Sequence, residues 1–153
     1  MSTYAAPIKD MLFVLRALAD IESIAGLPGC EDASLDTVTA VLEESGKFAA
    51  GVLDPLNWPG DQAGAQWDDG TVRMPDGFRA AYDQFVAAGW NALPIDPEWG
   101  GQGLPKVVST PVTEMVTSAN MAFSLCPLLT QGAIEALLLC GSAQLKETFL
   151  RKM

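Results

Sequence analysis

The chain has 153 residues, 49% apolar and 18% charged, with a formal net charge of −10. That length and apolar content suit one folded domain with a real core and exclude global disorder. The acidic balance repels phosphate, which argues against nucleic acid and against an anionic membrane surface as partners.

In chain order, the first predicted helix runs from about Pro7, a residue suited to a first turn, to Ile21. Ile8, Met11, Leu12, Leu15, Leu18 and Ala19 follow the 3, 4 spacing of one helical face. The run Gly26-Leu27-Pro28-Gly29 ends the segment. A second helix starts near Ser34, with Asp36 in its first turn, and carries a stripe through Leu35, Val38, Leu42, Ala49, Val52, Leu53 and Leu56. Pro55 and Pro59 bracket its end, and residues 57–74 read as loop. Within that loop Asp69-Gly70 marks a tight turn between Trp67 and Val72, so a short hairpin is an open alternative.

Pro75 opens the third predicted helix, where Phe78, Ala81, Tyr82, Phe85, Val86 and Gly89 share a face. A dense Pro/Gly loop follows, Asp96-Pro97-Glu98-Trp99-Gly100-Gly101-Gln102-Gly103-Leu104-Pro105. Pro105 opens a fourth helix to about Ala119, with Pro111 as its expected kink. Residues 120–141 read as helical, with either Pro127 or Gly132 as a candidate break point. Gly141-Ser142 supplies a stop and a fresh N-cap for a last helix over 143–152. No window shows sustained strand alternation. The prediction is an all-α, up-and-down bundle of five or six helices in one domain over 1–153, with a leader helix and turn over 1–33 and the main bundle over 34–153.

Charge is unevenly spread: residues 1–70 carry −9 and residues 71–153 carry −1. The chain has no histidine, so Ser-His-Asp and Cys-His catalysis within it is excluded, as are histidine metal sites. No metal site is expected. Cys30, Cys126 and Cys140 form no C-x-x-C pair and suit free thiols in a reducing compartment. Lys9, Asp10, Arg16 and Asp20 break any signal-peptide pattern. Residues 121–141 are the nearest approach to a membrane span, but Pro127, Gln131, Gly132 and Glu135 interrupt them. The expected setting is cytoplasmic, with no membrane span.

Individual residues give no reaction. The glycines at 100, 101 and 103 suggest a phosphate cradle, but no strand precedes them, no G-K-[ST] follows, and Pro105 removes an amide. A structural turn is the better reading. Glu135, among Ala133, Ile134, Ala136 and Leu137, is a candidate base by its apolar surroundings, as is Glu114. Without a partner at readable spacing, both are expected to face solvent. Trp58, Trp67, Trp90 and Trp99 have the rings to stack on a flat ligand such as a flavin, but loop tryptophans of this kind are expected to plug space between helices.

Read together, several segments resemble the N-terminal helical domain of an acyl-CoA dehydrogenase. The carriers are Gly89-Trp90, Pro97-Glu98-Trp99-Gly100-Gly101-Gln102-Gly103-Leu104, Glu114-Met115, and Gly141-Ser142-Ala143-Gln144-Leu145-Lys146 with Phe149-Leu150. Met115 stands where the family has a second acid, and Lys146 comes one residue late. Tyr4, Pro7, Asp10-Met11, Phe13-Val14-Leu15, Pro55-Leu56-Asn57, Gly60-Asp61 and Asp69-Gly70 through Phe78 resemble a subgroup with an extra helical leader, which includes methylmercaptopropionyl-CoA dehydrogenases.

The resemblance implies an FAD-dependent parent enzyme that dehydrogenates an acyl-CoA thioester between its α and β carbons, assembled as a homo-oligomer. In that family a flavin-binding β-domain and a C-terminal bundle carry the cofactor and the base glutamate. Neither is expected in these residues, so no catalytic or cofactor-binding residue is assigned here and the chain alone is expected to hold no flavin and to be inactive. Its implied role is a wall of the acyl pocket, with Ser124, Leu125, Leu128 and Gly132 beside the acyl chain. Leu125 and Leu128 read equally well as ordinary core. The alternative is a free-standing helical interaction module without enzymatic activity.

Overall fold

The computed structural model describes residues 3–153. Among them the chain forms eight α-helices and one small hairpin, in the order α1 (Ile8–Ala17), α2 (Ile21–Ala25), α3 (Leu35–Phe48), α4 (Asp54–Ala63), β1 (Gln66–Asp68), β2 (Thr71–Arg73), α5 (Phe78–Ala87), α6 (Lys106–Ala119), α7 (Met121–Cys140) and α8 (Ala143–Phe149). The all-α class holds. The helix count exceeds the expected five or six because one helix is added and another is divided.

The added helix is α2. The first helix stops at Ala17, and Asp20 enters the left-handed region at φ 51°, where its carboxylate accepts from the Ser23 amide and hydroxyl. An Asp side chain that bonds its own local backbone tolerates this conformation and starts a new helix. Ser34 caps α3 as expected, accepting from the Thr37 amide.

The divided helix is the second one, which runs on beyond its expected end. A turn of π-helix over Ala49–Leu53 joins α3 to α4, and α4 continues to Ala63. Pro55 falls in the first turn of α4, directly after the π-turn, and Pro59 lies inside the helix. Residues 57–63 are therefore helix and not loop. The rest of that stretch holds the hairpin, with Trp67 opposite Val72 and the turn at Asp69 (φ 43°) and Gly70 (φ 81°).

Pro75 does not open α5. Gly77, at φ 88°, makes the turn, and its missing side chain leaves room for the Leu56 Cδ2. Neither Pro127 nor Gly132 breaks α7, which runs unbroken for 20 residues. By length and apolarity alone α7 is able to cross a membrane, but those two properties do not make it a span.

Packing centres on α6, which lies against both α3 and α7. Its buried stripe of Val108, Val112, Met115, Val116 and Ala119 joins Leu42, Leu53, Phe78, Phe85 and Phe123 in the main core, together with Met11, Leu15 and Ile21 from the leader. Phe85 meets Phe123 edge-on at 5.6 Å. A second cluster of Ile95, Ile134 and Leu150, flanked by Trp99, Leu137 and Leu138, ties the Pro/Gly loop to the ends of α7 and α8.

Candidate acyl-pocket wall

The candidate site is a face of α7, and its position is set at the helix start. Asn120 is completely buried; its side-chain oxygen accepts from the Phe123 amide at 3.0 Å, and its Nδ2 donates to the Leu53 carbonyl at 3.2 Å. At the far end the Gly141 amide returns to the Leu137 carbonyl, and a Cβ there would come 2.5 Å from that oxygen. Ser142 then caps α8. Across the middle, Lys106 of α6 pairs with Glu135.

Ser124, Leu125, Leu128 and Gly132 fall within roughly 100° of arc around the helix. Ser124, at the inner edge, is buried and donates its hydroxyl to the Met121 carbonyl at 2.8 Å. It lines a small cavity of about 20 Å³ with Phe85, Trp90, Val112, Pro127 and Leu128. Leu125 and Leu128 are 54% and 51% exposed, so they are not core of this chain. Gly132 is exposed, and nothing lies within 4 Å of where its Cβ would be.

Sequence reasoning left out the rest of this surface. Met121, Leu129 and Leu139 extend it along α7, and Leu145 and Phe149 of α8 are exposed as well. Only 22% of the most apolar 18-residue stretch of α7 is buried. The readable signal was the lack of charge from Met121 to Ile134; periodicity was uninformative in a helix apolar on every side.

Other candidates resolve simply. Glu135 and Glu114 are exposed, and Glu135 is ion-paired. Trp90 packs on the main core and Trp99 on the second cluster, with the Arg151 guanidinium 5.4 Å from its ring centre. Trp58 and Trp67 are exposed, which corrects the expectation that they fill space between helices. The glycine loop spends its amides on itself: Gly101, Gln102, Gly103 and Leu104 donate to Asp96, Ala92, Ile95 and Leu93. No amide in that row is left for a phosphate.

Against known proteins, the family described as "Acyl-CoA dehydrogenase, N-terminal domain" matches residues 36–153. The chain is 44% identical over 151 residues to 3-methylmercaptopropionyl-CoA dehydrogenase of Ruegeria pomeroyi, covering 99% of this chain and 26% of that protein. It is 28% identical over 154 residues to butyryl-CoA dehydrogenase of Syntrophomonas wolfei, covering 98% and 25%. It is 28% identical over 124 residues to the broad-specificity linear acyl-CoA dehydrogenase FadE5 of Mycobacterium tuberculosis, covering 80% and 20%. The chain thus spans about a quarter of the length of the curated relatives it matches. With its helical fold, its glycine loop and its long apolar helix, the chain belongs to the acyl-CoA dehydrogenase family, to the helical N-terminal domain of those enzymes.

Proposed function

We propose that this chain is the N-terminal part of an FAD-dependent, homo-oligomeric acyl-CoA dehydrogenase, working in the cytoplasm, and that it is inactive by itself. Its contribution is a wall of the acyl pocket on α7. The observation that carries this is an unbroken apolar helix whose Leu125 and Leu128 face outward although they suit a core. Against that surface the methylenes of an acyl thioester gain about 0.8 kcal/mol each on burial. Ser124 backs the wall with its hydroxyl turned onto its own helix, and Gly132 leaves the surface open one turn further on.

Two observations support the reading that these residues alone hold no flavin. The four tryptophans do not converge on one cavity, and the glycine loop has no free row of amides for a pyrophosphate. FAD supplies the hydride acceptor when bound, in parts of the enzyme outside these residues. The task of α7 is binding and exclusion of water, not proton transfer.

The test compares the 153-residue chain with the gene product extended to the length of its relatives. The short chain is expected colourless and unable to reduce an electron acceptor with any acyl-CoA. The long product is expected yellow and active, with Leu128→Lys raising KM at unchanged flavin content. A yellow, active short chain would overturn the inactivity. An active long product indifferent to Leu128→Lys would overturn the wall.

A further inference from the structure

The leader helix carries a second exposed surface on a different element. Lys9, Leu12, Phe13, Arg16, Ala17 and Asp20 line one shallow groove of about 600 Å³, with Glu22 at its end. Their spacing is that of a single helical stripe continued into the cap of α2. Phe13 is 63% exposed, and among the described residues Lys9, Arg16, Asp20 and Glu22 enter no ion pair.

The order of chemistry along this stripe is self-complementary. Read from either end it runs charge, apolar, aromatic or guanidinium, apolar, opposite charge. We propose that the outer face of α1 pairs two copies of this chain, antiparallel, about a two-fold axis between Phe13 and Arg16. In that arrangement Lys9 meets the partner's Asp20, Leu12 meets the partner's Ala17, and Phe13 receives the partner's Arg16 over its ring. An isologous contact makes each pair twice. Ammonium on carboxylate and guanidinium on an aromatic face are both attractive.

The charge map favours this face over others in the acidic half. Residues 1–70 hold only three bases, and two of them, Lys9 and Arg16, stand on this stripe. The third, Lys47, is already paired with Glu44 on its own helix. A contact between single helices is smaller than a standard interface of roughly 1,200–2,000 Å², so the pairing is weak, half-complete at a chain concentration on the order of a millimolar.

Sedimentation equilibrium on the 153-residue chain from 20 μM to 2 mM, at low and high salt, tests the proposal. The expected result is a monomer–dimer equilibrium weakened by salt. Lys9→Glu is expected to weaken it at least 10-fold, because it sets one carboxylate against the partner's Asp20 at each end, and Phe13→Ala to weaken it comparably. Both positions are exposed, and an unchanged amide spectrum confirms folding. A half-labelled sample should show intermolecular NOEs from the Phe13 ring to the Arg16 side chain. A monomer at 2 mM, a dimer indifferent to both substitutions, or NOEs at Leu125 and Leu128 instead would each overturn the proposal.

Discussion

The Asn120 side-chain amide donates to the Leu53 carbonyl, 67 residues away in sequence, at 3.2 Å. Leu53 closes the turn of π-helix, where the shift in the helical ladder disturbs the pairing of backbone carbonyls. Asn120 meets that carbonyl and caps α7 with its other side-chain atom. One buried residue therefore fixes where α7 starts relative to the junction of α3 and α4.

Replacing Asn120 separates its two roles. Asn120→Ser retains an acceptor for the Phe123 amide but removes the side-chain donor to the Leu53 carbonyl, an expected loss of about 0.5–1.5 kcal/mol. Asn120→Ala loses the cap as well, about 1 kcal/mol more. Urea denaturation of the two variants measures the difference.

Adjacent glycines in the Pro/Gly loop should respond unequally. A Cβ on Gly101 falls on the Ile95 carbonyl, so Gly101→Ala must move backbone and is expected to cost about 3 kcal/mol or more. Gly100 has open space, and at φ 93° its alanine variant meets only the left-handed penalty, about 1–2 kcal/mol. Thermal melts of both variants decide this. Equal losses would contradict the packed geometry of the loop.

Exposure on α7 predicts indifference in the isolated chain. Leu125→Ser and Leu128→Gln are each expected to change its stability by no more than about 0.5 kcal/mol. Leu53→Ala, at a completely buried site, is expected to cost about 2–5 kcal/mol. Denaturant midpoints under one buffer give the contrast.

Stability should fall in alkali. Burial, and secondarily the Glu114 charge, raise the Tyr4 phenol above its ordinary value. A raised folded value means the contribution is fully present below the unfolded value and is lost as pH rises through the folded one. Lys47 is raised by its hydrogen bond to Glu44, so its contribution declines in the same direction. The urea midpoint is expected to drop between about pH 9.5 and 11.5, and Tyr4→Phe with Lys47→Gln should flatten the drop. An unchanged slope in the double variant would refute the assignment.

What the sequence determined by itself was local. Caps at Ser34 and Ser142, the Asp69-Gly70 turn, the helical stripes and the glycine loop were legible because each depends on neighbours within a few residues. The same locality explains the errors. Pro55 and Pro59 read as stops because the first-turn position of Pro55 depends on a π-turn that pattern does not show, and α2 exists because Asp20 adopts a left-handed backbone. Only the tertiary structure decided which side of α7 faces out. An all-round apolar helix has no readable inner face, and α6 covers one side and leaves Leu125, Leu128 and Gly132 open. The same holds for the groove on α1: Lys9, Phe13, Arg16 and Asp20 are at helical spacing in the sequence, but their sharing of one exposed surface follows from the burial of Met11 and Leu15 on the opposite side. Periodicity marks faces, and only the neighbouring elements determine which face they cover.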